Sequence, residues 1–174
     1  MKPTARILRS RPAYLAAILG VLHFSVAASS SSAMEPADNA ALIAESFEKW
    51  KNGQGTVFDL LADDARWTVA GISPLSGTYE SKYELVEEAV KPIHSRLREP
   101  ITPAVKHIVA QGNQVVVIWD GTATSIDGST YSNSYAWHLT IVGGKITEVL
   151  AFLDTWNLNE LMKEDLTGPG VAAD

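Results

Sequence analysis

The chain of 174 residues is 46% hydrophobic and 20% charged, carries a net charge of −6 and contains no cysteine. Such a length and apolar content support one domain with a real core, and the acidic balance lacks the basic footprint of a nucleic-acid binder. Disulfide stapling and anchoring through a lipid-modified cysteine are excluded.

Residues 1–33 read as a cleaved export signal followed by a small-residue linker. Lys2, Arg6, Arg9 and Arg11 form a basic head, "AYLAAILGVLHFSVAA" is an apolar run of signal length, and "ASSSSA" offers cleavage after Ala28 or Ala33. His23 and Ser25 interrupt the far end of the run, which leaves it short for a bilayer span. The expectation is an exported protein, periplasmic or secreted, with no stable membrane insertion after signal cleavage. Residues 34–162 form the domain, and 163–174, ending in "TGPGVAAD", are expected to be a flexible tail.

The domain opens with a helix. In "PADNAALIAESFEKWKNG", Asp38 or Asn39 can cap, Ile43, Phe47 and Trp50 fall on one stripe, and Asn52-Gly53 stops the run. Thr56 and Asp59 have capping-box spacing before Leu60-Leu61, predicting a short second helix, with Asp63-Asp64 as the turn out. "ARWTVAG" alternates as a strand, and "GISPLSGTY" is a loop. Ser81 and Glu84 open a further helix, bent at Pro92 and ending by Glu99-Pro100. Four strands then follow, with turns at Gly112-Asn113, Asp127-Gly128 and Gly143-Gly144, before a short amphipathic end around Leu158, Leu161 and Met162. Helices gathered first and antiparallel strands last predict an α+β domain. One curved sheet would wrap the N-terminal helices as a cone, leaving an internal pocket.

The helix end "W.NG", then "F.LLADDARWTV.G", "PLSGTY" and above all "Y.N.Y.W.L.I..GKI.E...F.DT" resemble the SnoaL-like, or polyketide-cyclase-like, branch of the nuclear transport factor 2-like superfamily, which includes ketosteroid isomerase. The resemblance spans residues 38 to about 158 and implies the cone fold, a pocket for a small hydrophobic or cyclic molecule, and a homodimer through the outer sheet face. It leaves the activity open, because the scaffold hosts isomerases, cyclases, lyases and binding proteins alike. Placed on the ketosteroid isomerase pattern, Val69 stands at the base position and Glu45 near the tyrosine position, so that enolisation set is not carried over.

The same resemblance makes Asp154 the first catalytic candidate as an acid/base. The residues add their own reason: a carboxylate after an apolar strand, between Phe152 and Trp156, has its pKa raised if it is buried there. The alternative is a carboxylate spent on backbone at the strand end. His94, on the long helix, is the second catalytic candidate, set against a partly buried helix residue. Asp120 is weighed between a solvent-facing carboxylate and a partner of Asp154. Asn133, Tyr135, Trp137, Trp67, Trp119, Phe152 and Trp156 are the candidate ligand-binding residues.

Tyr131, Asn133, Tyr135 and Trp137 share one strand face, but the sequence does not say whether that face is concave, and one bulge exchanges the two sets. No glycine-rich phosphate loop, nucleophile elbow or metal-ligand spacing occurs, so neither cofactor nor metal is expected. Two functions remain open: a cofactor-free isomerase, cyclase or lyase, and a non-catalytic binding or dimeric scaffold protein.

Overall fold

A computed structural model describes residues 35–163; the leader and nearly all of the tail lie outside the described residues. The first helix, α1 (Pro36–Lys51), begins earlier than the Asp38 and Asn39 signals suggest, because Pro36 in its first turn has a preset φ and no N–H to satisfy. Asn39 is freed for a tertiary role: its Nδ2 donates to the Gly112 carbonyl at 3.0 Å and ties α1 to a strand turn. Ile43, Phe47 and Trp50 form the buried stripe.

A short 3-10 turn (Val57–Leu60) follows, held by the Thr56/Asp59 capping box. Strand β1 (Leu61–Val69) starts immediately after it. Asp63 and Asp64 are therefore not a turn. They lie exposed where the register shifts between Leu61 and Arg66, and the irregular strand keeps both carboxylates in water.

The loop after β1 contains the short strand β2 (Gly77–Tyr79). Helix α2 (Lys82–Leu85) is capped by Ser81, whose Oγ accepts from the Glu84 N–H at 3.1 Å. A π-helical turn (Val86–Val90) joins it to α3 (Lys91–His94), and the connecting residues keep right-handed helical backbone. Pro92 lacks an N–H and would crowd the carbonyl four residues back; the wider turn just before it relieves that conflict without ending the helix.

The long strands are β3 (Leu97–Gln111), β4 (Gln114–Ser125), β5 (Thr130–Val142) and β6 (Lys145–Leu153), followed by helix α4 (Thr155–Met162). β3 begins at Leu97, before the Glu99-Pro100 boundary expected for the helix. Its prolines are tolerated because it is an edge strand. The six strands run β2-β1-β6-β5-β4-β3 in one curved, unclosed sheet. The α+β cone is thus the observed architecture, with one refinement: β1 and β6 pair in parallel, while every other pair is antiparallel.

Burial along β5 answers the open question of face. Tyr131, Asn133, Tyr135, Trp137, Leu139 and Ile141 are all buried, and their intervening neighbours are exposed or half-buried. The aromatic set faces inward. It meets α1 in a cluster where Trp119 lies edge-on to Phe47 at 5.4 Å and to Trp137 at 4.8 Å. No helix among the described residues is long and apolar enough to cross a membrane.

Candidate functional site

Between the inner face of the sheet and the helices lies a cavity of about 90 Å³. Its aromatic walls come from α1 (Trp50), the 3-10 turn (Phe58), β1 (Trp67), β4 (Trp119) and β5 (Tyr135, Trp137). The helical side contributes Leu85, Ala89, Val90, Ile93 and His94. Each strand residue is inward because the pleat alternates, so the period of two that buries the core also lines the cavity.

Four of the sequence candidates come together here with His94: Trp67, Trp119, Tyr135 and Trp137. Tyr135 stacks on Trp119 with centroids 4.0 Å apart and 9° between the planes, which fixes both rings. Gly121 makes room for the pair. A Cβ there would lie 2.9 Å from Ile101 Cγ2, 3.0 Å from Trp119 Cζ3 and 3.1 Å from Tyr135 Cε2.

Asn133 is buried behind this wall and organises its polar end. Its Oδ1 accepts from the Asp154 N–H at 3.0 Å, while Nδ2 donates to the Asp154 carbonyl and to Tyr131 Oη, both at 2.9 Å. Tyr131 Oη in turn lies 3.0 Å from Tyr135 Oη. Burial pushes both tyrosine hydroxyls upward in pKa, Tyr135 the more strongly, so both stay protonated at neutral pH.

Asp154 stands elsewhere than an acid/base in the cavity would. It is the N-cap of α4: Oδ1 accepts from the N–H of Trp156 at 2.9 Å and of Asn157 at 3.4 Å, and the residue is exposed. A helix start needs acceptors for its free N–H groups, and the carboxylate is the acceptor at hand. Phe152 is likewise turned outward, 50% exposed, because Ala151 and Leu153 take the inward positions on either side of it. Trp156 is 70% exposed on the first turn of α4, with the Lys163 ammonium 5.7 Å from its ring centroid; Leu158, one half-turn on, lines the cavity instead.

Asp120 also lies on the outer face, paired with Lys106 at 2.5 Å and accepting from Ser134 Oγ at 2.7 Å. Those two hydrogen bonds hold its carboxyl below the usual range. It is no partner for Asp154. Val69, at the position of the isomerase base, does line the cavity, whereas Glu45 is exposed and paired with Lys49 at 2.7 Å.

His94 lies at the cavity edge, exposed on one side, and burial of its other side lowers its pKa below 6.5, favouring neutral imidazole. Among the described residues no cluster of three metal-ligating side chains forms. The lining residues that were not among the site candidates are mainly aliphatic, together with the aromatic Trp50, Phe58, Tyr79 and Tyr131. Tyr131 belongs to the alternating set and was legible once the face was known. Tyr79 lies on a three-residue strand inside an apparent loop, where alternation has no length in which to show.

The family model of the SnoaL-like domain matches residues 43–149. An NTF2-like protein of unknown function from Burkholderia pseudomallei K96243 shares the fold with a TM-score of 0.60 and 21% identity, over 75% of this chain and all of that one. Bal32a, from a soil-derived mobile gene cassette, matches with a TM-score of 0.62 and 15% identity over 75% of this chain and 100% of its own. TerC, co-crystallised with polyporic acid, matches with a TM-score of 0.58 and 22% identity over 72% and 98%. No curated protein matches the sequence.

Proposed function

This chain belongs to the SnoaL-like family, and we propose that its cone is a binding site for a small, neutral, ring-shaped molecule on which it performs no chemistry. One observation carries this reading. Among the described residues, the only titratable side chains in the cavity wall are His94 and the tyrosines Tyr79, Tyr131 and Tyr135, with no carboxylate. Burial shifts the phenols toward the neutral form, which makes them hydrogen-bonding groups rather than bases. Asp154, the acid/base of the alternative cyclase, isomerase or lyase reading, is occupied at a helix start. Flat apolar walls with few polar groups suit a hydrophobic ligand.

Tryptophan fluorescence titrated with ethylbenzene tests this: saturable quenching is expected, and Ala89→Phe, which fills the cavity from its helical wall, abolishes it. Unsaturable, linear quenching in both proteins would remove the binding reading. The catalytic alternative now rests on His94, and it requires that His94→Ala abolish a turnover that Asp154→Asn leaves intact.

Two further parts of the proposal rest on other residues. The mature protein is exported, as the leader's pattern suggests, and an intact mass beginning after Ala28 or Ala33 is the expected result for protein recovered outside the cytoplasm. It is also a homodimer through the outer sheet face. Ile118, Ala136 and Phe152 lie side by side across β4, β5 and β6, with Val116, His138 and Leu150 in the next row. Ile118, Leu150 and Phe152 are all exposed. Phe152→Asp is expected to convert a dimer to a monomer in light scattering.

A further inference from the structure

The polar end of the cavity has a hydrogen-bond direction that can be worked out proton by proton. A backbone N–H only donates and a backbone carbonyl only accepts, so the two bonds between Asn133 and the Asp154 backbone fix which end of the amide is which. Nδ2 has two hydrogens. One goes to the Asp154 carbonyl and the other to Tyr131 Oη.

Tyr131 and Tyr135 then bring two hydroxyl hydrogens to a single hydroxyl–hydroxyl contact of 3.0 Å. If Tyr131 donates to Tyr135, the Tyr135 hydrogen is unspent. If Tyr135 donates, Tyr131 accepts twice and keeps its own hydrogen. Neither hydroxyl has another acceptor among the described residues, so one O–H is left over in either arrangement. Both tyrosines line the cavity.

The rest of the wall leans the same way. Indoles donate and cannot accept, and four of them, Trp50, Trp67, Trp119 and Trp137, stand in the wall. The Trp119 N–H is fully buried and without an acceptor, on the ring that stacks against Tyr135.

We propose that the Tyr131–Tyr135 pair, oriented by Asn133, is a specificity element supplying one hydroxyl donor, and that it selects single-ring ligands with a hydrogen-bond acceptor, such as an aryl ketone. This rests on the binding reading above and adds the polarity of the ligand to it. A cavity of about 90 Å³ limits the enclosed part to one ring. A ligand without an acceptor leaves a buried O–H unpaired, which lowers its affinity about tenfold relative to a matched ketone.

The pair also makes an unusual prediction about substitution. Removing either hydroxyl alone releases the hydrogen of the other, so Tyr131→Phe and Tyr135→Phe each keep a hydroxyl donor. Only the double variant loses it; the Asn133 Nδ2 hydrogen that the double variant frees lies outside the cavity lining.

The test compares acetophenone with ethylbenzene, which are similar in size and differ in the carbonyl. In the unaltered protein acetophenone is expected to bind about tenfold tighter. Each single variant keeps the preference, and the double variant loses most but not all of it while still binding ethylbenzene, since the Trp119 N–H remains in the wall. A merely structural role would weaken both probes together. Binding of neither probe by the unaltered protein overturns the binding reading and this inference with it. Equal binding of the two, or a preference that survives undiminished in the double variant, overturns this inference alone. The carbonyl stretch of bound acetophenone in the unaltered protein needs no variant: a shift to lower frequency than in cyclohexane supports the donor, and no shift overturns it.

Discussion

Two faces of the same three strands do opposite work. Inward, Trp119, Tyr135, Trp137 and Ala151 are buried in a continuous aromatic wall; outward, the residues next to them, Asp120, Ser134, Ala136 and Phe152, meet solvent or one another. Neighbours in sequence, such as Trp119 and Asp120, therefore differ completely in what they contribute. Chemistry read from sequence adjacency alone misplaces groups such as Phe152, which sits beside the cavity in sequence and behind its wall in space.

The largest contrast is expected between Trp119→Ala and Phe152→Ala. Trp119 is 1% exposed and packs against Phe47, Trp50, Tyr135 and Trp137, so its truncation is expected to cost about 3–5 kcal/mol in urea unfolding. Phe152→Ala, measured on the monomeric form, should fall near 0.5 kcal/mol. Equal costs would mean that the outer face is as tightly packed as the inner one.

Asn133 and Ser134 extend the contrast to polar groups. Asn133→Leu leaves the Asp154 N–H and carbonyl without their partner, takes from Tyr131 Oη the hydrogen bond it accepts, and should cost about 2 kcal/mol or more by the same unfolding measurement. Ser134→Ala loses one exposed bond to Asp120 and should be close to neutral.

Asp154 is the sharpest test of cap against catalyst. Asn caps as well as Asp, so Asp154→Ala should lose about 1 kcal/mol while Asp154→Asn keeps nearly all of it. A catalytic carboxylate predicts the reverse pattern, with ligand turnover lost in both variants and stability beside the point.

The smallest effect belongs to His94. Its pKa is lowered on folding, so the unfolded chain binds the proton more readily and stability rises with pH across this group's range. The contribution is complete above the ordinary imidazole value of 6.5 and is withdrawn as pH falls below it. His94→Gln should flatten that part of a stability profile measured from pH 5 to 8. An unchanged slope would place the imidazole in water.

Much of the fold was legible. The Ile43, Phe47 and Trp50 stripe, the Thr56/Asp59 and Ser81/Glu84 capping pairs and the glycine turns at 112, 128 and 143 all fall where the spacing predicted them, since each depends on contacts within a few residues. Asp63-Asp64 misled, because two acidic residues suit an exposed bulge as well as a turn. Pro92 signalled a helix disturbance, and a π turn stands just before it.

The site was half legible for a different reason. Alternation showed that Tyr131, Asn133, Tyr135 and Trp137 share a face, and that two sets of residues divide β5 between them, because a strand turns each side chain by half a revolution. Alternation carries no sign. Which set faces inward depended on the direction in which the sheet curves around α1, a property of six strands and their partners together. The fate of Asp154 was decided at shorter range: its carboxylate could serve a cavity or a helix start, and α4 begins at the next residue, which brings the N–H groups of Trp156 and Asn157 within its reach.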